Sequence, residues 1–80
     1  MIKTRLQTLE VHHDSAMLQI IEKEINIALL QKRMLLLGAG KLYTQAYNSI
    51  KENKDKIVVI KDILKIVEEL IEKEKNAKNL

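Results

Sequence analysis

This 80-residue sequence has no cysteine, no proline, no phenylalanine and no tryptophan, and its only glycines are Gly38 and Gly40. Without cysteine there can be no disulfide bond and no zinc site with thiolate ligands. Without proline, and with so little glycine, almost nothing interrupts a helix. Without phenylalanine or tryptophan, the aromatic side chains on which a base or a flat ligand can stack are limited to Tyr43 and Tyr47, which we expect to lie in the core.

Long apolar runs are missing as well. Runs such as residues 34–37 are far too short to cross a bilayer. The first five residues lead into an amphipathic pattern and not into the apolar core of a signal peptide. We therefore expect no membrane span, no signal peptide and a cytoplasmic location.

The residues that are present favour an ordered helical protein. Hydrophobic residues make up 46% of the chain and charged residues 31%, with a formal net charge of +3. This balance is unlike that of disordered chains. Residues 1–80 are enough for one small domain, whose core is marginal without a metal, a partner or very regular helix packing.

A 3.5-residue repeat runs through the first half of the chain. Nine of its eleven positions are apolar, and such a repeat keeps one side of a helix against a partner helix. It predicts one helix over residues 2–37, although Asp14 or Ser15 can cap a new helix and break it there. We name these positions the heptad seam: Ile2, Leu6, Leu9, His13, Ala16, Ile20, Lys23, Ile27, Leu30, Met34 and Leu37.

A second apolar stripe lies on roughly the opposite side of the same predicted helix. A helix that is apolar on two sides needs two neighbours. We therefore expect residues 17–37 to form the central helix of the fold. This second stripe comprises Leu18, Ile21, Ile25, Ala28, Leu29, Lys32, Leu35 and Leu36.

The remaining sequence predicts two shorter helices. The Gly38-Ala39-Gly40 segment suits a helix end, because glycine adopts the left-handed conformation cheaply. A helix over 41–52 follows, then a polar turn in which Asn53 suits a C-cap and Asp55 an N-cap. The last helix covers 56–76. The predicted fold is an all-α, small antiparallel bundle of three helices, or of four if the first breaks near Asp14.

Two segments that look chemical do not meet the requirements of a site. Gly38–Lys41 fails the phosphate-loop pattern, because Leu35 replaces the required glycine and Leu42 follows the lysine. Glu10-x-x-His13 is half of the pattern used by di-iron bundles. However, the chain has only two histidines and no obvious inward glutamate on a facing helix.

His12, Asp14 and Ser15 have the side chains of a catalytic triad, but neighbours on one helix diverge by about 100° each. We therefore expect no catalytic, metal-binding or cofactor-binding residues.

The basic excess is concentrated between residues 41 and 56. This segment contains four lysines and only two acidic residues, and the whole chain has just two arginines that could read base edges. This favours a solvated turn over a nucleic-acid site. The possible partner-binding patch consists of Lys41, Lys51, Lys54 and Lys56.

These patterns predict a non-enzymatic helical interaction protein that acts as a scaffold, an adaptor or an inhibitor. Small cationic helical bundles include immunity proteins and antitoxin-like regulators, an analogy that rests on architecture alone. The alternative is a nucleic-acid-binding accessory protein that uses the basic 41–56 region.

We also expect self-association as a homodimer. With two short later helices, the start of the first helix would be exposed, and isolated apolar arms are unstable in water. The predicted self-association seam is Ile2, Leu6, Leu9, His13 and Ala16.

Overall fold

The computed structural model describes residues 4–38 and 40–78, and within them the protein is a hairpin of two long helices. Helix α1 spans Arg5–Leu37 and helix α2 spans Lys41–Lys78. The two helices pack against each other along an elongated, flat shape of 61 × 24 × 14 Å. No strand occurs in the described residues, so the all-α class is confirmed.

Helix α1 begins with a capping box and runs without interruption. The Gln7 amide donates to Thr4 Oγ1 at 3.2 Å, and the Thr4 amide donates back to Gln7 Oε1 at 3.0 Å. Residues 12–15 are helical, so the predicted continuity is confirmed and the break near Asp14 does not occur. The helix begins at Arg5, and residues 2 and 3 of the predicted range lie outside the described residues.

The predicted helix end at Gly38 is confirmed, although its conformation is not the left-handed helical one that was expected, and Ala39 of the predicted turn lies outside the described residues. Gly38 ends α1 with φ of 66° and ψ of −162°, a combination that is essentially restricted to glycine. Gly40 has a φ of 144°, and its carbonyl accepts hydrogen bonds from the Thr44 amide at 3.1 Å and the Thr44 hydroxyl at 3.2 Å. The chain therefore reverses direction within three residues.

The predicted second turn is wrong, because residues 51–56 are helical and α2 continues through them. The separate helices over 41–52 and 56–76 are one helix, and the bundle of three or four helices is not confirmed. Asn53 does not cap a helix end: its Nδ2 donates to the Ser49 carbonyl at 2.8 Å, within the helix. No glycine or proline follows Gly40 to force an end.

The core lies along the heptad seam of α1, which packs against α2. Ala16 and Ile20 are buried against Ile60, with Ile57 and Leu64 packed around them. The seam positions from Leu6 to Met34 are buried or half-buried, and so is a matching series on α2 in the same alternation of four and three. That series is Ala46, Ile50, Asn53, Ile57, Ile60, Leu64, Val67, Ile71 and Glu74.

This core is thin. Within the described residues, no large side chain is fully buried. The radius of gyration is 18.1 Å, whereas a compact domain of this length has a value of about 12 Å. The accessible surface is 6542 Å², whereas a folded monomer of this mass exposes roughly 5,000 Å². The hairpin therefore exposes far more surface than a closed bundle.

We expect Ile20→Ala to lower the free energy of unfolding by about 2–4 kcal/mol, the usual cost of a cavity at a buried isoleucine. Ile66→Ala removes the same atoms from a side chain that is 56% exposed, against 7% for Ile20. It should cost less than half as much. Thermal melts at one protein concentration compare the two variants, and equal losses would contradict the assigned core.

We expect Gly38→Ala to cost about 1–3 kcal/mol, because the backbone conformation of Gly38 is strained for any residue with a Cβ. No atom lies within 4 Å of an added Cβ, so crowding contributes nothing. The control is Asn48→Ala, an exposed helical position where alanine is favourable. Urea titration of both variants measures the difference, and a neutral Gly38→Ala would refute the strain.

Candidate interaction surfaces

The start of the heptad seam is covered by α2 of the same chain. Leu6, Leu9 and His13 are half-buried and Ala16 is buried. The expectation that they are exposed in a single chain is wrong, because α2 is one helix long enough for Glu74 to pair with Arg5 at 3.3 Å. A second copy would have to displace α2 to reach them.

Of the predicted self-association seam, Ile2 lies outside the described residues.

A polar groove of about 420 Å³ crosses the hairpin near its open end. In it, His13 Nε2 lies 3.2 Å from Glu68 Oε1, and His13 Nδ1 lies 3.7 Å from Asp14 Oδ1. A positive imidazole would therefore be attracted to a carboxylate on each side. The groove is lined by Glu10, His13, Asp14, Glu68, Ile71, Glu72 and Lys75.

This groove holds the Glu10-x-x-His13 motif and supplies the facing glutamate that the sequence did not reveal. The sequence alone did not identify Glu68, because its position opposite this motif depends on how α1 and α2 pair. The turn predicted within α2 implied a different pairing. Within residues 4–38 and 40–78, no three side chains of the metal-ligating types converge on one point. The arrangement is a surface cluster of acidic side chains around His13, and exposed polar pairs of this kind contribute about 0–1 kcal/mol to stability.

The second stripe of α1 is exposed along its length. The expectation that residues 17–37 lie between two neighbours is wrong in the single chain, because α2 is the one helix that packs on α1 in the part of the chain that the structure describes. Leu35 and Leu36 are 86% and 88% exposed. The other large side chains of the stripe, each about half exposed, are Leu18, Ile21, Ile25 and Leu29.

Helix α2 has a smaller exposed apolar surface, which we name the α2 patch and which consists of Val59, Ile63 and Ile66. These residues follow one another at steps of four and three, so they share a side of the helix. Val59 also lines an open groove of about 290 Å³ together with Lys23 and Lys56. The chain therefore exposes two apolar surfaces, and clustered exposed apolar residues are typical of interaction sites.

The four lysines of the predicted basic patch do not form one surface. Lys41, Lys51, Lys54 and Lys56 are all exposed. On a continuous α2, Lys56 points about 140° away from Lys51 and about 160° away from Lys54. Lys51 and Lys54 share a side, whereas Lys56 lies beside Lys23 on the other flank.

Charge is separated along the length of the hairpin. Residues 25–56, at the end with the glycine turn, contain six basic and two acidic side chains. Residues 4–24 and 57–78, at the other end, contain seven basic and nine acidic side chains. The turn end is therefore positive and the open end is negative.

We expect Leu9→Asp to destabilise the hairpin by about 1–3 kcal/mol, because a polar group is forced against α2. Since this contact lies within one chain, the loss should not depend on protein concentration. Ser15→Asp, an exposed position on α1, is the control and should be nearly neutral. Circular dichroism melts at two concentrations measure both effects, and a loss at only the lower concentration would assign Leu9 to an intermolecular contact.

Neither helix has, in its described residues, a stretch long and apolar enough to span a membrane. Comparison with known proteins gives no match, whether to a family model, to a curated protein or to a solved structure. Any functional conclusion therefore depends on the geometry of the hairpin itself.

Proposed function

We propose that this protein is a non-enzymatic interaction protein that binds helical protein surfaces, as a scaffold, an adaptor or an inhibitor of the immunity type. The observation that supports the proposal is the exposed second stripe of α1. Its large side chains keep about half or more of their surface in water although they recur at helical spacing. A regulatory role and a cytoplasmic location stay predictions from the sequence.

Burial of this stripe supplies the free energy for binding. Each Å² of apolar surface removed from water contributes about 25 cal/mol. The thin core of the hairpin leaves that contribution unused in the single chain. Because both helices are already formed, a partner helix meets an ordered surface and little ordering entropy opposes the association.

A site-specific crosslinker tests the proposal. A photoreactive residue at position 25, on the second stripe, should form adducts with protein in cells of the source organism. The same residue at position 62, on the exposed outer side of α2, is the matched control and should form few. The mass of each adduct identifies the partner. If position 25 forms no more adducts than position 62, the proposed function is wrong.

The second candidate function is nucleic-acid binding through the basic 41–56 region, and the positive turn end of the hairpin favours it. Because the lysines diverge around α2, few of them can reach phosphates together. The sequence-independent contacts that remain are weak and sensitive to salt.

We expect any DNA affinity to fall with salt at a log–log slope no steeper than about −4, the value for four phosphate contacts. Lys51→Glu with Lys54→Glu should remove most of this affinity, because these two lysines share a side of α2. Lys61→Glu with Lys65→Glu is the control at the same charge change. Fluorescence anisotropy with unrelated duplexes measures the binding, and tight, sequence-selective binding would rank this function first.

A further inference from the structure

The exposed side of α1 carries a second heptad repeat with an internal symmetry. Its positions follow one another at alternating steps of three and four, and all eight are exposed. They lie about 150° around α1 from the heptad seam. We name them the outer heptad: Val11, Asp14, Leu18, Ile21, Ile25, Ala28, Lys32 and Leu35.

The outer heptad is complementary to a second copy of itself that runs in the opposite direction. When two copies lie antiparallel, centred between Ile21 and Ile25, these two isoleucines face each other and Asp14 faces Lys32. Every apolar position then meets an apolar position, and the only two charged positions meet opposite charges. A parallel pairing would place Asp14 against Asp14 and Lys32 against Lys32.

The remaining two pairs of the antiparallel arrangement are Val11 with Leu35 and Leu18 with Ala28.

We propose that the outer heptad binds a second copy of this chain in the antiparallel orientation. The result is a symmetric homodimer whose helices lie in the order α2, α1, α1, α2. Its interface is isologous, since the same residues contribute from both copies. The inference rests on the proposed function, and it names the partner of the surface described there.

The charge along the hairpin favours the same orientation. An antiparallel pair places the positive residues 25–56 of one copy beside the negative open end of the other. A parallel pair would place like charges side by side at both ends. Charge complementarity of this kind fixes orientation and excludes the wrong arrangement.

The available surface is large enough for a stable dimer. The outer heptad extends for about 36 Å along α1, at about 1.5 Å per residue. The hairpin exposes 6542 Å², roughly 1,500 Å² more than a closed monomer of this mass. A standard interface buries about 800 Å² on each partner. Leu29 and Leu36, beside the outer heptad, add apolar area to it.

Charge reversal provides the decisive experiment, with dissociation constants measured by light scattering and sedimentation on the full chain. Wild type should be a dimer at tens of micromolar. Asp14→Lys and Lys32→Asp should each weaken dimerisation roughly tenfold, since each places like charges opposite each other twice. An equimolar mixture of the two variants should restore the wild-type affinity as a heterodimer, and so should the double variant Asp14→Lys/Lys32→Asp.

The controls make the same charge changes away from the outer heptad. Asp62→Lys and Lys65→Asp, both at exposed positions of α2 outside residues 25–56, should leave the dissociation constant within threefold of wild type, and the helicity of every variant should be unchanged. The Asp14 side chain is 87% exposed, so its replacement does not threaten the fold.

Two outcomes overturn dimerisation through the outer heptad while leaving the proposed function to the crosslinking result. One is a wild-type monomer at 100 µM whose position 25 still forms adducts with a different protein. The other is a dimer whose affinity neither reversal changes, because it must then use another surface. Two weakened variants that do not recover when mixed would refute the antiparallel pairing. If position 25 forms no adducts, the proposed function itself is wrong.

Discussion

The pairing of two heptad series, one on each helix, is the contact on which the structure depends. Both series recur with the same 3.5-residue period, so one face of α1 stays against one face of α2 for almost the whole length of the hairpin. Lys23 and Asn53 interrupt the apolar residues of these faces. Polar residues at such positions reduce stability but restrict the register, because a shift of one helix would move them against different neighbours. A long, thin hairpin needs that restriction.

Much of α1 was predictable because its signals are both local and periodic. The heptad seam and the glycine turn both favour the same helix, and the capping potential of Asp14 and Ser15 does not break it. Helix α2 was not, because two signals conflict at residues 51–56. Asn53 and Asp55 are typical of helix ends, whereas the alternation through Ile50, Asn53 and Ile57 continues a helix. The periodic signal corresponds to contacts with α1 over the full length of α2. The free energy of those contacts outweighs the local preference of two residues for a turn.

The surfaces were harder to predict than the helices. The repeat in the second stripe shows that a neighbour is needed, but the same repeat serves a helix of the same chain or of another chain. Only the length of α2 decides which residues stay uncovered. The contact between His13 and Glu68 depends in addition on the register between helices, since the two residues are 55 positions apart in sequence. Periodicity within one helix contains no information about that register.

Because Arg5 and Glu74 lie together at the open end, the resistance of the hairpin to a pulling force depends on the direction of that force. A force applied between Thr4 and Lys78 separates one pair of facing residues at a time, starting at the Arg5–Glu74 contact. The same force applied to the two helices in opposite directions along their axes would slide one helix past the other. It would have to break every layer of the core at once. Attachment of this protein to larger bodies through both of its open-end segments would therefore make it open like a zipper toward Gly38. Attachment through the turn would leave the core intact.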